Sequence, residues 1–384
     1  MPSPGAQGKE GDEMRIRDLL KNNAVPIVFA GLSIFLVIAS RMDPVFLLQE
    51  VITRLSRNSF LVLALIIPVI AGLGLNFAIV LGAMSGQAAV IMITHWMTTL
   101  TGESTMLALF RWQGGLGGFL FATVLSTPIA LILGWLVGKT LNAAKGREMI
   151  TALMLGFFAN GIYQLIFLIG IGTVIPMTNP RMVLPGGVGL RITVDLFNPV
   201  GRPVRSIGAA LNNLILPRIG LIRVPVVPLI IVASLCLFIY FFMQTKLGQQ
   251  IRATGQDMYV AEIAGIKVNR IRVIAVMFST VLAAWGQLIW LQDIGTLNTY
   301  ASHEQVGMFA IAALLVGGAN VKRATIWHAL LGVVLFHTLF VVSPVAGQRL
   351  FGQSQIGEYF RAFIAYGVIA LSLALHAWKQ RKSK

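Results

Sequence analysis

Charged side chains are scarce in this sequence. Asp, Glu, Lys and Arg make up only 11% of its 384 residues, whereas they form about 25% of an average soluble domain. Hydrophobic residues reach 56%, and the mean hydropathy is +0.80. Apolar runs long enough to cross a hydrocarbon layer recur along the chain, and lipid requires such runs to be helical. The scarcity of charge therefore excludes a soluble protein and predicts a membrane-embedded helical bundle.

Cysteine is nearly absent, since Cys236 is the only one. A single cysteine cannot form an internal disulfide bond, and this one lies within the apolar run LIIVASLCLFIYFF. No nearby group would activate its thiol. Cys236 is therefore predicted to be a packing residue.

Motifs for catalysis are also missing. The sequence contains no GxxxxGK[ST] loop, no HExxH motif, no serine elbow and no Cys or His set with metal-binding spacing. Its histidines lie in separate segments, as His95, His303, His328, His337 and His376. The centres of the predicted helices are nearly free of charge, which disfavours both a membrane enzyme and an ion-coupled carrier. We therefore expect no catalytic residue, no metal site and no enzyme activity in this chain.

Positive charge is the only charge in excess, because 30 Lys and Arg against 14 Asp and Glu give a net charge of +16. The basic residues sit in short segments between apolar runs and form no single face, which argues against a nucleic-acid partner. Membrane proteins concentrate Lys and Arg in their cytoplasmic loops. Placing the amino terminus inside puts the larger share of these residues on the inner side. We therefore predict that both termini are cytoplasmic.

The apolar runs predict an all-α, polytopic transmembrane bundle of about ten helices. These lie near residues 24–40, 59–82, 86–100, 116–139, 149–175, 224–245, 271–291, 306–318, 324–343 and 359–378. The count falls to about eight if the second and third runs form one broken helix and the run at 306–318 does not cross the membrane. The predicted organisation is a cytoplasmic tail at 1–23, a transmembrane domain at 24–378 and a basic cytoplasmic tail at 379–384.

Three segments outside the predicted helices have distinct compositions. The tail 1–23 is polar, and the apolar run after it lacks a small-x-small cleavage site, so we expect a retained helix and no signal peptide. The outer connection 176–223 is rich in Pro and Gly, which favours turns or short helices. It acts either as a lid over a pathway or as a plain connection. The charged segment 246–270 faces the cytoplasm.

Neutral polar residues take the place of charges within the predicted helices. Asn76, Ser85 and Gln87 lie beside Gly82 and Gly86, where a helix could break. Membranes tolerate a broken helix only beside protein or a water-filled cavity, so a break here would indicate a substrate pathway. We favour this break over the alternative, in which the two glycines form a small-xxx-small packing contact.

Two further polar patches occur along the chain. Asn160 and Gln164 are four residues apart and share one helical face with Tyr163 beside them. A weaker patch consists of Gln287, Trp290 and Gln292. Interhelical hydrogen bonds explain such patches as well as a pathway does. The candidate pathway residues are Asn76, Ser85, Gln87, Asn160, Gln164 and Gln287.

A short charged helix is predicted within the segment TGQDMYVAEIAGIKVNRIR, between two apolar runs. Asp257 is a candidate N-cap and Gly265 a candidate C-terminal stop for a helix of about two turns. So short a helix is marginal alone in water. Its apolar face, formed by Val260, Ile263 and Ala264 with Tyr259 beside them, predicts docking onto a cytoplasmic partner. A position on the lipid interface is the alternative.

The segment from Gly248 to Val273 resembles the cytoplasmic loop of ABC importer permeases of the ribose, nucleoside and branched-chain amino acid type. These are the inner membrane components of binding-protein-dependent transport systems. In them a G-x-x-x-R-A-x-G segment precedes an A-x-x-x-G-I-x-V segment. The matching residues here are Gly248, Arg252, Ala253, Gly255, Ala261, Gly265, Ile266 and Val268. A looser similarity extends from about residue 60 to 375.

The resemblance implies a permease subunit in the bacterial inner membrane. In such importers the loop inserts a coupling helix into a separate ABC ATP-binding subunit, which carries ATP and Mg. The coupling residues implied here are Gly255, Asp257, Ala261, Glu262, Gly265 and Ile266. The resemblance also implies an extracytoplasmic solute-binding protein, a second permease subunit of the same or a related kind, and no cofactor in this chain.

The solute implied by the resemblance is a simple sugar or a nucleoside. Sugar-type permeases carry G-G-x-D-L-S-x-G in the second helix, where this chain has Gly82 to Gln87 without the acid. Nucleoside-type permeases carry N-x-G-x-E-G-Q and E-V-I-x-T-x-M-L-N, which Gly86-Gln87 and the segment from Arg147 to Asn160 resemble. Ser85 and Gly156 depart from that pattern. An ATP-independent channel or facilitator, and a permease for branched-chain amino acids or a vitamin, are the alternative functions.

Overall fold

The computed structural model describes residues 23–99, 108–110, 112, 115–177, 179–197 and 207–382. The predicted tail 1–23 lies outside the described residues except for its last position, and the last two residues of the tail 379–384 also lie outside them.

Helices form most of the described structure, joined by four very short strands. The helices are α1 (Ala24–Ser40), α2 (Pro44–Ala64), α3 (Ile66–Ile70), α4 (Ile79–Thr99), α5 (Leu116–Ala143), α6 (Glu148–Leu165), α7 (Val226–Phe242), α8 (Lys246–Gln256), α9 (Met258–Ile263), α10 (Val268–Ile294), α11 (Ser302–Val316), α12 (Ile326–Phe351) and α13 (Ser354–Lys382). The strands are β1 (Thr193–Asp195), β2 (Arg218–Ile219), β3 (Ile222–Arg223) and β4 (Thr296–Asn298). A π-helix (Ile166–Gly170) and one further turn (Ile171–Thr173) continue α6.

Several of these helices are long and apolar enough to cross a membrane. Within the described ranges there are six such spans, or seven if α7 and α8, bent by 76°, count as one. Two shorter apolar helices, α1 and α11, accompany them. The prediction of a polytopic helical membrane protein is therefore confirmed.

Helix α10 occupies the centre of the bundle, where it packs against α2, α4 and α5. Small residues permit the close approach. A Cβ placed at Gly82 would collide with the carbonyl of Thr280, and one at Gly86 would lie 2.5 Å from the carbonyl oxygen of Ala284. Since α4 runs unbroken through both glycines, the favoured prediction of a break at this point is wrong. The two glycines form the small-xxx-small packing contact that was the alternative.

The chain breaks earlier, between α2 and α4. Helix α2 starts at Pro44 and not near residue 59, because Asp43 caps it by accepting hydrogen bonds from the Val45 and Phe46 amides. After α3 the backbone turns at Gly72 and Gly74, whose φ angles are +75° and +71°. Only glycine adopts such angles at little cost, so these two positions determine where the helix is interrupted.

The outer connection 176–223 is mostly irregular in its described part, as its Pro and Gly content predicts. Strand β1 pairs antiparallel with β4, so that Val194 lies opposite Leu297. Gln292 of α10 also holds the connection, because its side chain accepts from the Leu211 amide at 3.2 Å and donates to Asn212 Oδ1 at 3.1 Å. The connection is therefore anchored on the end of the central helix.

Candidate functional site

A buried polar site forms where α4, α6 and α11 meet. Gln87 lies in the middle of α4, Asn160 in the second half of α6, and His303 in the first turn of α11. Gln87 and His303 are completely buried, and Asn160 is half-buried. The structure thus brings together two of the predicted pathway residues through a third residue that the sequence reasoning did not select.

His303 connects the two amide side chains. Its Nδ1 lies 3.3 Å from Gln87 Oε1, and its Nε2 lies 2.9 Å from Asn160 Oδ1. The Gln87 amide is oriented by donating from Nε2 to the carbonyls of Asn298 at 3.1 Å and Thr299 at 2.5 Å. Its oxygen must therefore point at the imidazole, because its nitrogen is already occupied.

The second amide is oriented in the same way by an acid. Asn160 Nδ2 donates to Glu304 Oε2 at 3.3 Å, so that Asn160 Oδ1 faces His303. A neutral imidazole has one N–H and can donate to only one of its two amide neighbours. One of the two amide oxygens therefore receives no hydrogen from His303, and a hydroxyl group of a bound molecule could supply it.

Aromatic rings enclose this site. The ring of Tyr163 lies 4.6 Å from that of His303, centroid to centroid, and is buried between α6 and α11. Tyr300 closes the outer side, since its hydroxyl donates to the Leu190 carbonyl at 2.8 Å and so ties the site to the outer connection. Gln87 and His303 are consequently inaccessible to solvent in this structure.

The other four predicted pathway residues lie elsewhere. Ser85 donates to the Leu81 carbonyl of its own helix at 2.9 Å, and Asn76 accepts from the Ala78 amide at the break after α3. Gln164 is exposed on α6. Gln287 is fully buried against Gly86, and its amide atoms have no hydrogen-bond partner among the described residues. Asn76 therefore lies at the break after α3 and Gln287 on the central helix α10. Both are outside the polar site around His303.

A second candidate site is the short helix α9 in the segment 246–270. The Asp257 carboxylate accepts from the Tyr259 and Val260 amides at 2.8 and 3.1 Å. The helix ends at Ile263, Gly265 follows its C-cap with a φ of +79°, and the amide of Ile266 donates to the carbonyl of Ala261. This pairing is a Schellman motif. The predicted N-cap and stop are therefore confirmed as local structure.

Helix α9 presents an apolar surface that the described chain does not cover. Tyr259, Val260 and Ile263 are 74%, 60% and 71% exposed, and Glu262 is also exposed. Ala261, by contrast, is buried against the bundle. We call the surface formed by Tyr259, Val260 and Ile263 the docking face. Three exposed apolar side chains on so short a helix are typical of a binding surface.

The segment 246–270, called the docking segment from here on, contacts the bundle where the chain breaks between α3 and α4. Gly255, at the end of α8, lies against the carbonyl of Ile70 and against Gly72, and a Cβ at Gly255 would collide with that carbonyl. A glycine is required here because two backbones meet. The predicted coupling residues thus separate into the exposed Asp257, Glu262 and Gly265, the buried Ala261, and the half-buried Gly255 and Ile266.

A known protein family matches most of this chain. Residues 48–375 match the model of the family described as branched-chain amino acid transport system / permease component. The chain belongs to this permease family. The match begins within α2 and ends within α13, and it includes the polar site and the docking segment.

Curated relatives of this permease are more distant. It is 29% identical over 153 residues to the probable ABC transporter permease protein YphD of Escherichia coli K12, covering 39% of the permease and 43% of the relative. It is 28% identical over 150 residues to the nucleoside ABC transporter permease protein NupC of Lactococcus lactis, covering 39% and 45%. The autoinducer 2 import system permease protein LsrC of Escherichia coli is 26% identical over 210 residues, covering 54% and 56%.

The permease therefore spans about half of the length of the curated relatives that it matches. No solved structure matches it. The family membership and the multi-pass membrane fold are established by these comparisons and by the apolar spans.

Proposed function

We propose that this permease is the transmembrane subunit of an ATP-driven ABC importer for a small polar solute. The observation that carries the proposal is the docking face, an exposed apolar surface on a capped helix between two apolar helices. The proposal draws support from the names of the relatives, which are ABC permeases or an import system permease. ATP and Mg belong to the partner ATP-binding subunit, which the docking face would bind from the cytoplasm.

The proposed topology places both termini and the docking segment in the cytoplasm of a bacterial cell. The inner end of α2 and α3 contacts this segment through Gly255, and the first residue of α6 contacts it through Arg272. If ten helical segments cross or enter the membrane in alternating directions, these contacts all lie on one side. The plasma membrane is the proposed location.

The solute class follows from the chemistry of the polar site. The amide oxygens of Gln87 and Asn160, together with the Glu304 carboxylate, offer acceptors around one imidazole. A hydroxyl group both donates and accepts, so vicinal hydroxyls complement such a site. A simple sugar or the ribose of a nucleoside fits this pattern better than an aliphatic amino acid. We therefore place the solute pathway along α4, α6 and α11.

Two further partners complete the proposed complex. Gln164 is exposed in the middle of a membrane helix, and an amide facing lipid would be costly. A second permease subunit beside α6 would remove this cost and enclose the pathway between the two subunits. An extracytoplasmic solute-binding protein would deliver the solute to the outer connection.

The proposal is tested by substitution in the docking face. Ile263→Asp places a charge where apolar contact is expected, so the ATP-binding subunit should no longer co-purify with the permease, and uptake should stop. The matched control is Leu221→Asp, an apolar residue in the turn between β2 and β3 that is even more exposed than Ile263, which should leave co-purification intact. Normal assembly and uptake with Ile263→Asp would exclude the docking role.

A further inference from the structure

Arg272 is the largest completely buried side chain in the described part of the permease. It lies in the second turn of α10, just after the docking segment. Removing a guanidinium from water is costly unless its charge and its N–H groups find partners. The residues that pair with Arg272 therefore indicate why the charge is there.

The guanidinium joins two different elements. Its Nη2 forms an ion pair with Glu148 Oε1 at 2.6 Å, and its Nη1 lies 3.5 Å from the sulfur of Met258. Glu148 is the first residue of α6, and Met258 is the first residue of α9. Arg272 thus links the start of the docking helix directly to the start of α6.

Helix α6 has few other attachments to the bundle. Only 11% of its most apolar window is buried, compared with 67% for α10. In the π-helix that continues α6, the Phe167 carbonyl accepts from the Leu190 amide and the Tyr300 hydroxyl. Within α6 itself, the side-chain hydrogen bonds to other elements concentrate at two points, which are Glu148 at the inner end and Asn160 in the polar site. These points are separated by about 18 Å along one helix. Helix α6 is unbroken between these two points, so a displacement of its inner end can reach Asn160.

The docking segment also contacts the part of the chain that leads into α4 and Gln87. Gly255 packs on Ile70 and Gly72, and the chain continues from there into α4, which carries Gln87. That contact is between two backbones and involves no charged group. The Arg272 contact differs because its short, buried ion pair resists separation in any direction.

We propose that Arg272 and Glu148 are positioning residues that transmit displacement of the docking helix to α6 and so to the polar site. The inference rests on the proposed function, in which an ATP-binding subunit moves α9. When α9 shifts, Met258 and the guanidinium shift with it, and Glu148 follows its charge partner. The resulting tilt of α6 changes the position of Asn160 relative to His303, which opens or closes the site.

The test measures the movement of α6 in the complex with its ATP-binding subunit. Spin labels replace Met154 on α6 and Trp327 on α12, which are 66% and 70% exposed, in a Cys236→Ser background. Pulsed EPR distances are recorded in lipid nanodiscs without nucleotide and with Mg-ATP plus vanadate. We expect the nucleotide to shift the distance between the two labels in the otherwise native chain. The shift should be absent in Glu148→Gln, while the ATP-binding subunit remains bound.

The control is Glu50→Gln, which removes the acid from another ion pair, the 3.2 Å contact with Arg54 on α2. It should keep the full nucleotide-dependent shift. If Glu148→Gln fails to assemble, Arg272→Lys serves instead, because it keeps a charge beside Glu148 but cannot bridge to Met258. The shift should then fall to less than half.

The possible outcomes separate the inference from the proposed function. A full shift in Glu148→Gln or in Arg272→Lys overturns the inference and leaves the proposed function intact. The same holds if the native chain binds the ATP-binding subunit but shows no shift. If the native chain binds no such subunit, the proposed function fails and the inference fails with it.

Discussion

The docking segment and the polar site differ in the sequence range of the contacts that hold them. Helix α9 is defined by residues 257–266, because Asp257 caps one end and the turn at Gly265 closes the other. The polar site depends on contacts between distant parts of the chain, since His303 is 216 residues from Gln87 and 143 from Asn160. The docking helix can therefore keep its shape while the site rearranges with the bundle.

This difference suits the proposed division of labour. A docking surface has to present the same side chains to its partner throughout a transport cycle, which local capping ensures. A solute site has to change its affinity during the cycle. A site assembled from three helices changes whenever one of them moves, so its geometry depends on the links between the two regions.

The largest effect is expected when the charged link between the two regions is removed. Arg272→Ala deletes a fully buried side chain and leaves Glu148 without its partner. Breaking a buried ion pair costs about 3–5 kcal/mol, so thermal unfolding in detergent should begin at a clearly lower temperature. Glu50→Ala, which removes a partly exposed pair, should cost about 1 kcal/mol or less. Equal losses in the two variants would contradict the structural account of Arg272.

The glycine link should give the next largest effect. Gly255→Ala forces a methyl group into the Ile70 carbonyl, and overpacking of this kind costs about 1–3 kcal/mol. Stability and ATP-driven uptake should both fall. Gly31→Ala on α1 is the matched control, because no atom of the described residues lies within 4 Å of the new methyl group. An unchanged free energy of unfolding in Gly255→Ala would show that the two backbones do not meet.

Replacing His303 should affect the site and leave the docking segment unchanged. His303→Phe keeps a ring beside Tyr163 but removes the N–H that His303 donates to one of the two amide oxygens, Gln87 Oε1 or Asn160 Oδ1. An unpaired buried polar group costs about 1–3 kcal/mol, so uptake should fall by roughly tenfold or more. The ATP-binding subunit should still co-purify. Ser85→Ala should transport normally, because its hydroxyl contacts only its own helix.

Weakening the cap of the docking helix should give the smallest effect. Asp257→Ala removes the acceptor for the Tyr259 and Val260 amides, which costs about 1 kcal/mol of helix stability. Affinity for the ATP-binding subunit should fall by roughly fivefold in a titration. Asp257→Asn, which retains a capping oxygen, should restore most of it. Unchanged affinity in Asp257→Ala would indicate that the bound helix needs no cap.

The same contrast explains which features the sequence could predict. The cap and stop of α9 were predictable because Asp257 and Gly265 act on their own neighbours. Asn160 and Gln87 stood out as polar residues in apolar runs, but their meeting through His303 depends on the packing of three helices. His303 and Glu304 do adjoin each other at a helix start, which is a weak signal that the sequence analysis did not use.

The position of the helix break shows most clearly what could not be predicted from the sequence. Gly82 and Gly86, like Gly72 and Gly74, are closely spaced glycines in an apolar run. Gly82 and Gly86 nevertheless pack on α10, whereas the chain turns at Gly72 and Gly74. Whether a glycine permits packing or a turn depends on the surface that faces it. That surface comes from α10, which lies about two hundred residues further along the chain and is not visible in a local pattern.

The central claim, that this permease imports a polar solute with energy from ATP, is tested most directly by uptake into proteoliposomes. The vesicles would contain the permease and its ATP-binding subunit, with ATP enclosed on the side of the docking face and the binding protein outside. A radiolabelled panel of simple sugars and nucleosides is then supplied. We predict that one class accumulates above its external concentration only when ATP is present. Equal uptake without ATP would identify a channel or facilitator and contradict the account.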